Sequence, residues 1–189
     1  MTTLVATRAD PRVAIVADPA PEIAPVPALV EVLACGDPGR GDDGASLAAL
    51  AELAPDLPAD VTVRLVGQLD IDDLLAVPSG AGAVVIDTVT GIDPGWVVEI
   101  PFIGFAGRES GIRARSSDAL ARPETVGVAS MIRGRPLVGV LVAIGGSTFS
   151  PGDALSWPVT TGLCSFRVAI ADAIERVRAQ VIAQAVAHA

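Results

Sequence analysis

The sequence predicts an α/β protein, in which buried strands alternate with helices. Hydrophobic residues make up 51% of the 189 residues but aromatic residues only 3%, so the core must be built from Val, Leu, Ile and Ala. That composition is typical of buried parallel strands covered by helices. A chain of this length suits one hydrophobic core and is short for two.

Five segments have the apolar or alternating pattern of strands. They are Ala28–Gly36, Val61–Gly67, Gly82–Val89, Trp96–Phe102 and Pro136–Gly146. The turn Asp93-Pro94-Gly95 leads directly from the third strand to the fourth. We therefore expect these two strands to be able to pair as a hairpin or meander at the edge of the sheet.

Helical patterns separate the strands. They cover Asp43–Leu53, Asp70–Val77, Arg122–Gly134 and Val168–Val186. Residues 1–28 are rich in Pro and Ala, and their repeated prolines oppose regular structure. The sequence therefore predicts an N-terminal arm over 1–28 and a single α/β domain over 29–189.

Charge and composition argue against several classes of function. The net charge is -9, and all 13 basic residues are arginine, so the basic face that nucleic-acid binding needs is not expected. No apolar run is long enough to span a membrane. The first residues lack a secretory signal, so we expect a cytoplasmic protein with neither a nucleic-acid nor a membrane partner.

The turn after the first strand carries glycines in a spacing that is typical of phosphate-binding loops. Gly39, Gly41 and Gly44 follow the pattern G-x-G-x-x-G. The same turn carries acidic residues, which would repel a phosphate, and the second strand ends without the acidic residue of a dinucleotide site. We therefore expect no nucleotide cofactor.

Acidic residues follow several of the predicted strands. Asp42 and Asp43 come after the first, Asp87 ends the third, and Asp118 precedes the helix that begins near Pro123. Ligands of open α/β sheets bind at the carboxyl ends of strands, and carboxylates gathered there need a cation or a shared proton. The alternative is structural: Asp42 and Asp43 could interact only with the helix dipole, and Asp87 with turn amides.

Other catalytic groups are scarce in the sequence. The single histidine, His188, lies next to the C-terminal residue, and no G-x-S-x-G motif occurs. Trp96 and Trp157 flank turns, and we expect them to cap the packing rather than to bind substrate.

The order of the motifs resembles the hydrogenase maturation endopeptidases, which trim the C-terminus of the large subunit of nickel-iron hydrogenases. The matching segments are LACGDPGRGDDGASLAAL, AVVIDTVTGIDPGWV, SSDAL and LVAIGGSTFSPGDALSWPV, in the family's order. This resemblance implies a three-layer αβα fold with a small, mostly parallel five-stranded sheet. It also implies a partner, the large-subunit precursor of a nickel-iron hydrogenase.

The resemblance also implies a site. Asp43 and Asp87 correspond to two metal ligands of the family, with catalytic roles, and Asp42, Gly41 and Gly44 support them. The family's third ligand is a histidine, and the corresponding residue here is Asp118. The implied cofactor is a divalent metal, with nickel supplied by the substrate. The alternative is a non-catalytic assembly factor that lost the histidine, since carboxylates hold late transition metals less selectively than imidazole does.

Overall fold

A computed structural model describes residues 29–104 and 122–187 of the chain. The strands are β1 (Val30–Cys35), β2 (Val61–Gly67), β3 (Gly82–Val89), β4 (Val97–Pro101) and β5 (Gly139–Gly145). The α-helices of this part are α1 (Ala45–Leu53), α2 (Ile71–Ala76), α3 (Arg122–Arg133) and α4 (Trp157–Ala187). The predicted N-terminal arm and Asp118 lie outside the described residues.

The five strands form one sheet in the order β2-β1-β3-β5-β4. The first four strands in this order run parallel to one another, and β4 runs antiparallel to β5 at the edge. Every residue of β1 and β3 is buried, as expected for strands in the middle of a sheet that is covered on both faces.

Alternating side chains of the sheet supply two separate cores. Val32, Val84 and Val142 pack with α1 and α4 on one face, whereas Leu33, Val85 and Leu141 pack with α2 and α3 on the other. The period of two along each strand directs successive side chains to opposite faces. The predicted three-layer α/β fold with a small, mostly parallel five-stranded sheet is confirmed.

Two details differ from the sequence-based expectations. The strands β3 and β4 do not pair, because β5 lies between them and pairs with both. The last helix begins at Trp157 rather than near Val168, so it includes Gly162, which lies against the main chain of Gly95. Among the described residues, no helix is long and apolar enough to cross a membrane.

Candidate functional site

The glycine-rich turn lies at the carboxyl end of β1 and continues into α1. Its last residues, Gly41–Gly44, form one turn of 3₁₀ helix. Gly41 has a φ of +60°, and a Cβ at this residue would lie 2.8 Å from the carbonyl oxygen of Thr148. Any other residue would be strained here both by conformation and by contact. The close approach joins the turn to the segment that follows β5.

Asp42 is buried within this junction and accepts hydrogen bonds from the segment after β5. Its Oδ2 accepts the main-chain N–H of Ser147 at 2.7 Å and of Thr148 at 3.0 Å, and the Ser147 hydroxyl at 3.2 Å. Its Oδ1 accepts the main-chain N–H of Ser156 at 2.6 Å. Both carboxylate oxygens are therefore engaged in holding the loop from residue 147 to residue 156.

These donors also set the charge state of Asp42. Burial disfavours the carboxylate and by itself raises its pKa, but the main-chain N–H groups of Ser147, Ser156 and Thr148 together outweigh it. The pKa of Asp42 consequently lies below its usual value. The side chain is a buried anion at neutral pH.

The main chain of Asp42 is also tied to β3. The buried hydroxyl of Thr88 donates to the Asp42 carbonyl oxygen at 2.8 Å. Gly146 lies beside the same contact, since a Cβ there would lie 2.7 Å from Thr88 Cγ2 and 3.1 Å from Asp42 Cβ. The turn, the end of β3 and the end of β5 therefore form one closely packed junction.

Asp43, the next residue, points away from this junction. It is partly exposed, and its carboxylate accepts the main-chain N–H of Asp37 at 3.1 Å. Its Cγ lies 3.9 Å from where a Cβ on Gly36, the residue after β1, would be. The Asp43 carboxylate therefore lies over the carboxyl end of β1.

Asp87 lies near the carboxyl end of β3, the strand next to β1. Its exposed fraction is only 2%, and its Oδ1 accepts the main-chain N–H of Thr88 at 2.7 Å. Strand alternation places its side chain on the face of α2 and α3, together with Val85 and Val89. Asp43 and Asp87 thus lie at the carboxyl ends of neighbouring parallel strands, where α/β folds bind ligands.

The metal ligands implied by the resemblance are only partly within the described chain. Across residues 29–104 and 122–187, no three His, Cys, Asp or Glu side chains are grouped to hold a metal ion. Asp118, the third implied ligand, lies outside the described residues. It precedes α3, which covers the face of the sheet that Asp87 shares.

A cavity of about 350 Å³ opens beside the turn, on the side of α1. It is lined mainly by apolar groups, among them Pro38, Gly44, Leu47 and Leu155, and by Asp153. At Gly44 a Cβ would lie 3.0 Å from Pro38 Cα, so a larger residue would press on the turn. The cavity therefore offers a mainly apolar surface beside the turn.

Four polar residues of the junction were not identified from the sequence: Thr88, Ser147, Thr148 and Ser156. A signal was present, because Ser147 and Thr148 directly follow the two glycines at the end of β5. The expectation for the tryptophans was wrong. Trp96 and Trp157 are 68% and 79% exposed, so they do not cap the packing.

Comparisons with known proteins support the fold. No protein-family model matches the sequence, and no curated protein matches it significantly. The NiFe hydrogenase maturation protease HybD from Thermococcus kodakarensis is similar in structure, with a TM-score of 0.57 and 24% identity over 76% of this chain and 98% of that one. The hydrogenase maturating endopeptidase HybD from E. coli has a TM-score of 0.62 and 15% identity over 78% of this chain and 92% of that one.

A third similar structure is that of the endopeptidase HycI from Escherichia coli. Its TM-score is 0.55 at 15% identity, and the match covers 75% of this chain and 88% of that one. Identities this low establish the fold and leave the activity to be argued from the site. The chain therefore has the fold of the NiFe hydrogenase maturation proteases, as the resemblance of its motifs predicted.

Proposed function

We propose that this protein is a hydrogenase maturation endopeptidase. It recognises the nickel-loaded large-subunit precursor of a nickel-iron hydrogenase and removes its C-terminal extension. The observation that carries this proposal is the position of Asp43 and Asp87 at the ends of β1 and β3, in a chain with this fold. The cytoplasm, where such a precursor would be matured, is the proposed location.

The donor set fits a divalent metal ion. Asp43 and Asp87 would hold the ion with carboxylate oxygens, and Asp118 would be the third ligand. When bound, such an ion supplies Lewis acidity towards the peptide carbonyl group. Oxygen ligands alone prefer hard ions, so selectivity for nickel depends on ligands that the precursor brings with its own nickel.

The chain's own residues have separate tasks in this proposal. Asp42 holds the loop from residue 147 to residue 156 against the turn, which fixes the direction in which Asp43 points. One of these two carboxylates, Asp43 or Asp87, would accept the proton of the attacking water through an oxygen that does not hold the ion, and so act as the general base. The apolar cavity beside Gly44 receives a side chain of the extension and so orients the scissile bond.

Processing of the purified precursor tests the proposal. Wild type mixed with nickel-loaded precursor should release the extension, as measured by intact-protein mass spectrometry. Asp43→Ala and Asp87→Ala should each abolish the release, whereas Asp172→Ala, which removes an exposed carboxylate of α4, should not. Thermal unfolding should show Asp43→Ala folded, because a helix-start carboxylate contributes at most about 1 kcal/mol. Normal processing by Asp43→Ala would contradict the assigned role.

A second candidate function has one observation in its favour. Asp118 stands where the similar endopeptidases are expected to have a histidine, so the chain could be a non-catalytic assembly factor that binds the precursor without cutting it. Stable binding of nickel-loaded precursor by wild type, with no shortening of the precursor, would favour this function over the endopeptidase.

A further inference from the structure

Both tryptophans of the chain lie at the carboxyl edge of the sheet, the edge that carries Asp43 and Asp87. Trp96 precedes β4, and its carbonyl oxygen accepts the N–H of Gly145, the last residue of β5, at 2.9 Å. Trp157 is the first residue of α4 and directly follows Ser156, which donates to Asp42. Trp157 is thus the chain neighbour of a junction residue, and Trp96 is hydrogen-bonded to Gly145, the residue before Gly146 of the junction.

The two tryptophans emerge from segments that touch each other. A Cβ on Gly95 would overlap the carbonyl oxygen of Pro158, and a Cβ on Gly162 would overlap the carbonyl oxygen of Gly95. Trp96 follows Gly95 and Trp157 precedes Pro158, so the two tryptophans belong to main-chain segments that touch, and both side chains are exposed. We call these two exposed side chains the tryptophan surface.

Among the described residues, the carboxyl edge of the sheet, where the tryptophan surface lies, is acidic. It carries exposed or partly exposed carboxylates of Asp37, Asp43, Asp93 and Asp153. Among arginines whose side chains the structure describes, only Arg40 lies in this turn region. The other six contact acceptors elsewhere: Arg64 with Glu31 and Asp73, Arg133 with carbonyl groups after α2, Arg135 with Ser79, Arg167 with Glu52, Arg176 with Glu99, and Arg178 with Asp60 and Glu175.

We propose that the tryptophan surface binds a basic segment of the precursor, in which arginine or lysine side chains alternate with apolar ones. This inference rests on the proposed function and names how that substrate is held. Cations stack on indole faces and pair with nearby carboxylates, and tryptophan, with tyrosine and arginine, is enriched among the residues that dominate protein interfaces. The segment held here continues past Asp43 and Asp87.

The chain itself carries the probe for this inference. It has two tryptophans and no tyrosine, so its intrinsic emission reports on the tryptophan surface alone. We would titrate wild type with a synthetic peptide of alternating arginine and leucine, and with a matched peptide that has glutamate in place of arginine. The arginine peptide should shift the emission to shorter wavelength and reduce quenching by acrylamide, and the glutamate peptide should do neither.

Substitutions locate the contact. Trp96→Ala and Trp157→Ala should each weaken binding of the arginine peptide by about tenfold or more, as is usual for interface hot spots. Binding to these variants is read from the anisotropy of a dye on the peptide. Leu65→Ala is the control, since it removes an exposed side chain (65%) from β2 at the opposite edge of the sheet. Its affinity for the peptide should equal that of wild type.

The remaining outcomes separate this inference from the proposed function. Equal binding of the arginine and glutamate peptides would overturn the docking inference. A shift of the emission to longer wavelength on tenfold dilution of free wild type would also overturn it, because that shift shows that a second copy of the chain covers the tryptophan surface. With the precursor as substrate, the two tryptophan variants should raise KM and leave kcat unchanged. If both variants trim the precursor with the KM of wild type, the docking inference is overturned and the proposed function stands. If wild type does not trim the precursor, the proposed function itself is contradicted.

Discussion

The carboxylate of Asp42 accepts the main-chain N–H of Ser156 at 2.6 Å, and this contact joins positions 114 residues apart in the sequence. The same carboxylate accepts the N–H groups of Ser147 and Thr148. One buried anion thus connects the turn after β1 with the start of α4. The neighbouring Asp43 is left to face the edge of the sheet.

Asp42→Asn should lower the free energy of unfolding by about 2–4 kcal/mol at neutral pH, measured by urea denaturation. The asparagine amide has one accepting oxygen, so its NH₂ group would face a main-chain N–H group that now donates to the Asp42 carboxylate. Asp153→Asn is the control, since Asp153 is exposed and accepts only the Ser150 N–H among the side-chain contacts described. Its effect should stay within about 0.5 kcal/mol.

The difference in the free energy of unfolding between wild type and Asp42→Asn should depend on pH, because the pKa of Asp42 is lowered in the folded protein. A carboxyl group whose pKa is lower in the folded state stabilises the protein above its unfolded pKa of about 3.9. That stabilisation is lost as the pH falls through the folded pKa. The gap between wild type and Asp42→Asn in metal-free buffer should therefore be constant near neutrality and narrow below about pH 4. A gap that widens on acidification would contradict the lowered pKa.

Gly146→Ala should destabilise the protein and disturb the junction. The added Cβ would lie 2.6 Å from Phe149 Cζ and 2.7 Å from Thr88 Cγ2, so these side chains or the main chain after β5 must shift within the junction. We expect a loss of about 1–3 kcal/mol, as for other overpacked sites. Processing of the precursor should fall with it.

Gly127→Ala provides the matched control. Gly127 lies inside α3, and apart from the adjoining main chain of the helix no atom lies within 4 Å of where its Cβ would be. Because alanine favours a helix over glycine, this variant should gain about 0.5–1 kcal/mol. Thermal unfolding of the two variants should therefore move in opposite directions. Destabilisation by both would indicate that the junction is not the sensitive element.

The sequence was sufficient for the element types and for the edge of the sheet at which Asp43 and Asp87 lie, because both follow from local patterns. It failed on strand order. The turn at Asp93-Pro94-Gly95 suggested a local hairpin, but β3 is buried on both faces and has parallel neighbours on both sides, β1 and β5. A local turn signal carries no information about which strand from elsewhere in the chain pairs with the second side of β3.

The different orientations of Asp42 and Asp43 were also beyond the local sequence pattern, although the resemblance assigned the two residues different roles. The two residues are adjacent and chemically identical, and only the 3₁₀ turn directs one into the junction and the other over Gly36. The start of α4 was missed for a similar reason. Gly162 weakens the helical pattern, and its benefit, close contact with Gly95, is visible only in three dimensions.

Arg133→Met should destabilise the layer of helices that covers Asp87. The Arg133 guanidinium donates to the carbonyl oxygens of Leu74 at 3.0 Å, Leu75 at 3.1 Å and Val77 at 2.8 Å, which close the end of α2. Burial, and then the charge of Arg135, lowers the pKa of Arg133 without removing its charge at neutral pH.

We expect Arg133→Met to cost about 1.5–3 kcal/mol, as for hydrogen bonds from a charged donor, measured by urea denaturation. Arg135→Met is the control, because Arg135 is exposed and donates to the Ser79 hydroxyl. Its cost should stay below about 0.5 kcal/mol. Hydrogen exchange should show faster opening at the end of α2 in Arg133→Met only. Equal costs in the two variants would mean that the carbonyl contacts contribute little.

Asp118→His tests the assignment of the third metal ligand, and calorimetric titration with nickel, zinc and manganese is the measurement. If Asp118 is a ligand, wild type binds one divalent ion saturably and Asp118→Ala weakens that binding. The histidine variant should then shift preference towards nickel and zinc and away from manganese, because imidazole replaces a hard oxygen donor and one negative charge is lost. Asp172→Ala, on the exposed side of α4, should titrate as wild type does. If wild type binds no ion at a single site even with nickel-loaded precursor present, and Asp118→His binds none either, then Asp118 is not a ligand and the assembly-factor function becomes the better account.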